Sequence, residues 1–110
     1  MFVITLLALS YQLTYSQKQG KFKLDSLLDE YSKSTKNDTS KVNLINDIAY
    51  NYYSINPDKG IEFAKKGIEL AEKIKFKVGL AKCYNSMGVC YWVKSEFDKS
   101  LEFLFKSLKI

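Results

Sequence analysis

From Phe22 onward the apolar residues recur at spacings of three and four. Phe22, Leu24, Leu27, Leu28 and Tyr31 form the first such stripe, with Asp25 early in the segment, which is the pattern of a helix with one buried face. A run rich in Ser, Thr, Asn and Asp over 33–40 then predicts a loop in which Asp38, Thr39 or Ser40 caps the next helix. The second helix carries Val42, Ile45, Ile48, Ala49 and Tyr52 and stops near Ser54, where Asn56-Pro57-Asp58 breaks the pattern. Pro57 suits the first turn of a third helix, whose stripe is Ile61, Ala64, Ile68 and Ala71 until about Lys75. Gly79 lies near the junction to a fourth, with Leu80, Tyr84, Met87, Gly88 and Tyr91 on one face. Ser95 and Glu96 mark a short turn, and a fifth helix from Phe97 carries Leu101, Leu104, Phe105 and Leu108. No segment alternates with period two for long enough to make a strand. The pattern therefore predicts an all-α chain of about five helices, with antiparallel neighbours wherever the loops are short.

Residues 1–16 stand apart. They carry no charge, and Phe2 to Leu9 is an apolar run of the length of a signal-peptide core, too short to span a bilayer. Thr14 and Ser16 followed by Gln17 give a cleavage site between Ser16 and Gln17. No positive residue precedes Phe2, so two readings stay open. The segment is a leader whose true start lies upstream, which would export the domain to the periplasm or cell surface, or it is a cytoplasmic hydrophobic helix that packs on the rest. Export is the preferred reading.

Sliding the chain against itself reveals a repeat. Ala49 to Tyr52 realigns with Gly88 to Tyr91 at a step of 39, and Gly60 to Leu70 realigns with Ser100 to Ile110 at a step of 40. One extra residue in the second turn accounts for the difference. Ile45 meets Tyr84, Ile48 meets Met87, Glu62 meets Glu102, Lys66 meets Lys106 and Gly67 meets Ser107. A period of this length points to a solenoid or array. A glycine inside a helix costs about 1 kcal/mol against alanine, so Gly67 and Gly88 imply close approach of the partner helix of the same hairpin.

The second unit resembles a tetratricopeptide repeat, whose pattern is W-x2-L-G-x2-Y followed by A-x3-F and a later Pro. Tyr84 stands at the Trp, Met87, Gly88 and Tyr91 supply the next three positions, Ser100 takes the place of the small residue and Leu104 that of the aromatic. Ile45, Ile48, Ala49, Tyr52, Gly60 and Ala64 make a looser match in the first unit. The later Pro has no counterpart: Glu72 holds its place in the first unit, and the second ends before reaching it. The resemblance implies an α-solenoid of antiparallel hairpins divided into a leader at 1–16, a leading helix and loop at 17–39 as a degenerate half repeat, one repeat at 40–77 and a second, truncated one at 78–110. It implies a core of Ile45, Ile48, Ala49, Tyr52, Gly60, Tyr84, Met87, Gly88, Tyr91, Ser100 and Leu104. The apolar helix at the end, without a polar capping helix, is read as the cut edge of a longer array or as a surface for self-association.

Composition narrows the chemistry. An apolar fraction of 46% with a single Pro argues for a folded chain. His is absent, which removes the commonest general base, the imidazole metal ligand and every Ser-His or Cys-His arrangement. Cys83 and Cys90 fall on one helix about 10.5 Å apart by helical rise, too far to bridge and too few for a zinc site. They are read as free thiols in or near the core. The net charge of +5 rests on Lys alone, without the Arg best suited to phosphate and base recognition, so nucleic acid is not an expected partner. Asp58 and Glu62 sit one helical turn apart on a solvated face, and no catalytic residue, metal or cofactor is expected.

The resemblance implies instead a concave groove lined by the first helix of each hairpin, holding a peptide or a partner's helix. The matching positions are Asn46 with Asn85, Tyr50 with Val89 and Tyr53 with Trp92, and Lys82 adds attraction for an acidic ligand. An Asn offers a peptide backbone both a donor and an acceptor. The plainer reading makes the two Asn part of a polar face, and large aromatics at helical spacing such as Tyr53 and Trp92 are commonly core. The function implied is a protein-interaction scaffold, the N-terminal sensory or regulatory part of a bacterial signalling protein whose kinase or DNA-binding output would lie beyond residue 110. A stand-alone exported scaffold is the alternative.

Overall fold

The computed structural model describes residues 2–110 and is all-α, with five helices and no strand among those residues. Met1 lies outside them, and Ser16 and Gln17 of the cleavage-site reading are described in their backbone alone. The helices are α1 (Phe2–Lys33), α2 (Thr39–Tyr52), α3 (Pro57–Lys73), α4 (Lys77–Val93) and α5 (Phe97–Leu108). Helix α1 touches α2, α2 touches α3 and α4, and α4 touches α3 and α5.

The predicted boundaries hold best where a cap or a breaker sets them. Asp38 accepts from the Lys41 N–H at 3.1 Å and starts α2, and Asn56 accepts from the Lys59 N–H at 3.2 Å ahead of Pro57 and starts α3. Each satisfies a backbone donor the helix itself leaves open. Helices α3 and α4 end in a left-handed residue, Lys75 at φ 58° and Ser95 at φ 62°. The Phe76 and Glu96 N–H groups then reach back to the carbonyls of Ala71 and Tyr91, the hydrogen-bond pattern of a Schellman stop. The extra residue of the second unit is not in its turn. Helix α4 runs to Val93 with Lys94–Glu96 as connector, whereas α2 ends at Tyr52 and is followed by Tyr53–Asn56, so the insertion is absorbed as helix.

Helix α1 departs from expectation, because the apolar segment and the leading helix are continuous over 32 residues. At about 1.5 Å per residue it accounts for most of the molecule's longest dimension of 56 Å. Its first half does not pack: Val3, Ile4, Leu6, Leu7, Leu9 and Leu13 are exposed, and burial begins at Leu24. Phe22, expected on the buried stripe, is 78% exposed. It precedes Leu24 by two residues, which turns it about 200° around the helix from the face that meets α2. No helix among the described residues is long and apolar enough to cross a membrane.

Three clusters make the core. Leu24 joins Leu44, Ile48 and Tyr52, with Tyr31 reaching across to Phe63. Ala49, Ile61, Ala64, Met87 and Cys90 join α2, α3 and α4. Val42, Ala71 and Cys83 close the other end of the same interface. Along α3 and α4 two cysteine sulfurs act as knobs in hollows left by glycines. A Cβ on Gly60 would fall 2.6 Å from Cys90 Sγ and 2.9 Å from the Ala49 carbonyl oxygen, and one on Gly67 would fall 2.5 Å from Cys83 Sγ. Gly88 is pressed in the same way against Leu104 of α5, at 2.7 Å. Gly88 thus meets its hairpin partner as expected, whereas Gly67 meets chiefly α4, the first helix of the next hairpin, with Ile45 of its own hairpin partner farther off at 3.2 Å.

The molecule repeats its own contacts. Tyr52 stacks on Phe63 at 5.8 Å and Tyr91 on Phe103 at 5.6 Å; the Lys66 ammonium lies over Phe63 at 4.9 Å and that of Lys106 over Phe103 at 5.0 Å. Burial differs between the units. Ile45, Tyr52 and Ala64 are buried, while Tyr84, Tyr91 and Leu104 in the matching places are half-buried: Tyr52 is covered by Leu24, Leu27 and Leu28 of α1 and Ala64 by Met87 and Cys90 of α4, whereas α5 packs on α4 alone among the described helices. Tyr91, expected wholly in the core, therefore keeps one edge at the surface with Lys99 over its ring at 5.5 Å.

Candidate binding cleft

Helices α2 and α4 run parallel, side by side, and two polar contacts help to hold them in register. The Ser86 hydroxyl donates to Asn46 Oδ1 at 2.6 Å, and the Cys90 thiol points at the Ala49 carbonyl at 3.8 Å. Beside this seam lies an open cleft of about 450 Å³, lined by Asn46 and Tyr50 from α2, by Lys77, Val78, Ala81, Lys82, Asn85 and Ser86 from α4, and by Ser107 and Ile110. Ser107 donates to the Ala81 carbonyl at 2.8 Å, which pins the end of α5 against the start of α4.

The two Asn differ. Asn46 is half-buried and its carbonyl oxygen is engaged by Ser86, so its remaining capacity is that of a donor; Asn85 is exposed, and its side-chain amide makes no hydrogen bond within the described residues. The charged side chains along the wall are Lys77 and Lys82, with no Asp or Glu among the lining residues. The cleft also passes the first turn of α4, where Phe76 supplies no side-chain cap, and the partial positive charge of a helix start adds to that of the lysines. Tyr50 and Val78, 46% and 61% exposed, form an apolar shelf between the polar groups. An elongated, acidic segment with a free backbone edge would complement such a surface.

Of the positions expected to line a groove, the structure brings together Asn46, Tyr50, Lys82 and Asn85. Tyr53, Val89 and Trp92 lie off the cleft. Tyr53 packs on the Ala49–Met87–Cys90 cluster with its ring 5.3 Å from that of Tyr50, Val89 is half-buried, and Trp92 stands edge-on to Phe97 at 4.8 Å. Lys77 and Val78 belong to the cleft and were not anticipated. Extending the Asn85–Lys82 stripe one turn toward the start of α4 reaches both, but the expected junction near Gly79 ended the stripe too soon.

Nothing else in the described residues gathers reactive groups. Burial pushes the Cys83 thiol up to about 12 and that of Cys90 up to about 11, far from the range of a nucleophilic thiolate. Asp58 pairs with Lys94, which also pairs with Glu96 at 3.2 Å. No group of His, Cys, Asp and Glu among the described residues is arranged to hold a metal ion. No known family model, curated protein or solved structure matches the chain.

Proposed function

We propose that this chain is a tetratricopeptide-like interaction module that holds an extended acidic peptide segment in the α2–α4 cleft, and that it is a scaffold rather than an enzyme. The observation that carries the reading is the pairing of Asn46 with Asn85 on adjacent parallel helices, flanked by Lys77 and Lys82 with no Asp or Glu side chain in the lining. The amides address the backbone of the guest, the ammonium groups attract its charge and Tyr50 and Val78 receive an apolar side chain. By the same resemblance the module would stand ahead of a signalling output domain. A reading frame beyond Ile110 that encodes neither a kinase nor a DNA-binding domain rejects that placement and leaves the stand-alone scaffold.

The test of the cleft is selection of extended peptides from a display library on the full 110-residue chain, with affinities then measured on variants. Asn85→Ala and Lys82→Ala are expected to weaken the selected peptide several-fold, the latter most at low salt. Asn46→Ala costs folding stability as well, since it strips Ser86 of its acceptor. Unchanged affinity in both Asn variants rejects the assignment.

A further inference from the structure

Gly20 lies in the middle of α1 with nothing within 4 Å of the place its Cβ would take. Glycine weakens a helix interior, and at Gly60, Gly67 and Gly88 a close neighbour accounts for it; at Gly20 the structure shows none. Forty residues on stands Gly60, and forty further Ser100. Both touch the backbone of the helix before them, Gly60 beside the Ala49 carbonyl and Ser100 donating to the Gly88 carbonyl at 2.7 Å. Leu24, Ala64 and Leu104 keep the same step, as do Leu28, Ile68 and Leu108. The second half of α1 thus stands where α3 and α5 stand in their hairpins.

In the sequence repeat the first half takes the places of α2 and α4. At steps of 39, Leu6 corresponds to Ile45 and Tyr84, Leu9 to Ile48 and Met87, and Leu13 to Tyr52 and Tyr91, while Ser10, Ala49 and Gly88 keep the crossing point small. In sequence, Ser16-x-x-Gln19 is the capping-box signature of a helix start, and it falls forty residues before Asn56, the cap of α3. The structure leaves this half projecting, with Val3, Ile4, Leu6, Leu7, Leu9 and Leu13 between 57% and 72% exposed. An apolar helix of this length without a tertiary partner is marginal in water.

We propose that residues 3–13 are the first helix of a third hairpin and fold back, antiparallel, onto residues 18–33 of their own chain with Ser10 against Gly20, so that the continuous α1 is the opened form of that hairpin. This develops the packing reading of the apolar segment over the leader reading, and it is independent of the peptide cleft.

The test uses the full chain carrying Ser10→Cys and Gly20→Cys. In a continuous helix the two positions are about 15 Å apart, beyond the limit of about 7 Å between bridged Cα atoms, whereas the closed hairpin brings them into contact. Mild oxidation is expected to give an intrachain disulfide in a monomer, with Cys83 and Cys90 left reduced in the core. No bridge, or a bridge only between two copies as in a swapped dimer, overturns the proposal. A second variant decides by sign: Gly20→Leu lowers the urea midpoint if a helix crosses at Gly20. It raises the midpoint if the space is open as in the extended helix, and that result also overturns the proposal.

Discussion

The fit of Cys83 into the hollow at Gly67 makes a prediction whose sign comes from the distances. A methyl group on Gly67 would sit 2.5 Å from Cys83 Sγ and 3.2 Å from a methyl of Ile45, and Cys83 is fully buried. Overpacking of this kind costs about 1–3 kcal/mol, against a helix-propensity gain of about 1 kcal/mol. Gly67→Ala is therefore expected to lose about 1 kcal/mol net. Cys83→Ala removes one buried atom and leaves a void, a loss of about 1 kcal/mol. In the double variant the new methyl occupies the space the sulfur left, and the propensity gain is no longer offset. The pair should be close to wild type, with a coupling of about 2 kcal/mol. Urea unfolding of the four proteins measures it, and each kcal/mol corresponds to about 4 °C in Tm at this size. Additive losses in the double variant would refute the knob-in-hollow account.

Other consequences arise from the ends of the helices, the ion pairs and the thiols. Lys75→Gly and Ser95→Gly place glycine at φ 58° and φ 62°. Relief of about 1–2 kcal/mol of left-handed strain, less about 0.4–1 kcal/mol of added chain entropy, should raise stability by about 0.5–1 kcal/mol each in thermal melts. Hydrogen bonding to Lys94 holds the Glu96 carboxyl below the usual glutamate range. Its contribution is thus present above the unfolded-state value and lost as pH falls through the folded one. Lys94, raised first by Asp58 and then by Glu96, acts in the opposite sense and loses its contribution as pH rises through its folded value. Lys94→Met should flatten the acid limb of a stability-against-pH curve measured by urea titration, and an unaltered limb would discount the cluster. Cys83 and Cys90 should resist a thiol reagent until the chain unfolds, so labelling that precedes the loss of helical signal would contradict their burial.

How far the sequence could be read depended on whether a residue's partner lies on its own helix. Val42, Ile45, Ile48 and Ala49 mark one face of α2 at helical spacing, and that periodicity alone located the helix and its buried side. Asp38 and Asn56-Pro57 set boundaries through interactions within four residues, and these were equally legible. The hollows at Gly60 and Gly67 were not, because their occupants are sulfurs 30 and 16 residues away on another helix. The small residues pointed to the hairpin partner, which holds for Gly88 against Leu104 and not for Gly67, whose nearest contact lies on the next hairpin. The cleft was legible to the same extent: the step of 39 paired Asn46 with Asn85, but the turn of Trp92 toward Phe97 rests on the placement of α5, which no local pattern encodes.

The packing that orders the hairpins also fixes the cleft. Val42 fills the space beside Gly79, Ser86 binds Asn46, and Cys90 faces the Ala49 carbonyl, so α2 and α4 are tied at three levels along their shared length. A cleft formed between two such helices cannot widen without breaking contacts that are buried or partly buried, and core contacts in a close-packed interior yield little to small displacements. On the proposed reading its walls are consequently formed before any guest arrives, and the guest would bear most of the cost of ordering. That favours a guest which is already extended, or short, over one that must refold on the surface. It also separates the roles the proposal gives the two amides: Asn46, its carbonyl oxygen engaged by Ser86, keeps its donor for a guest, and Asn85 keeps both donor and acceptor.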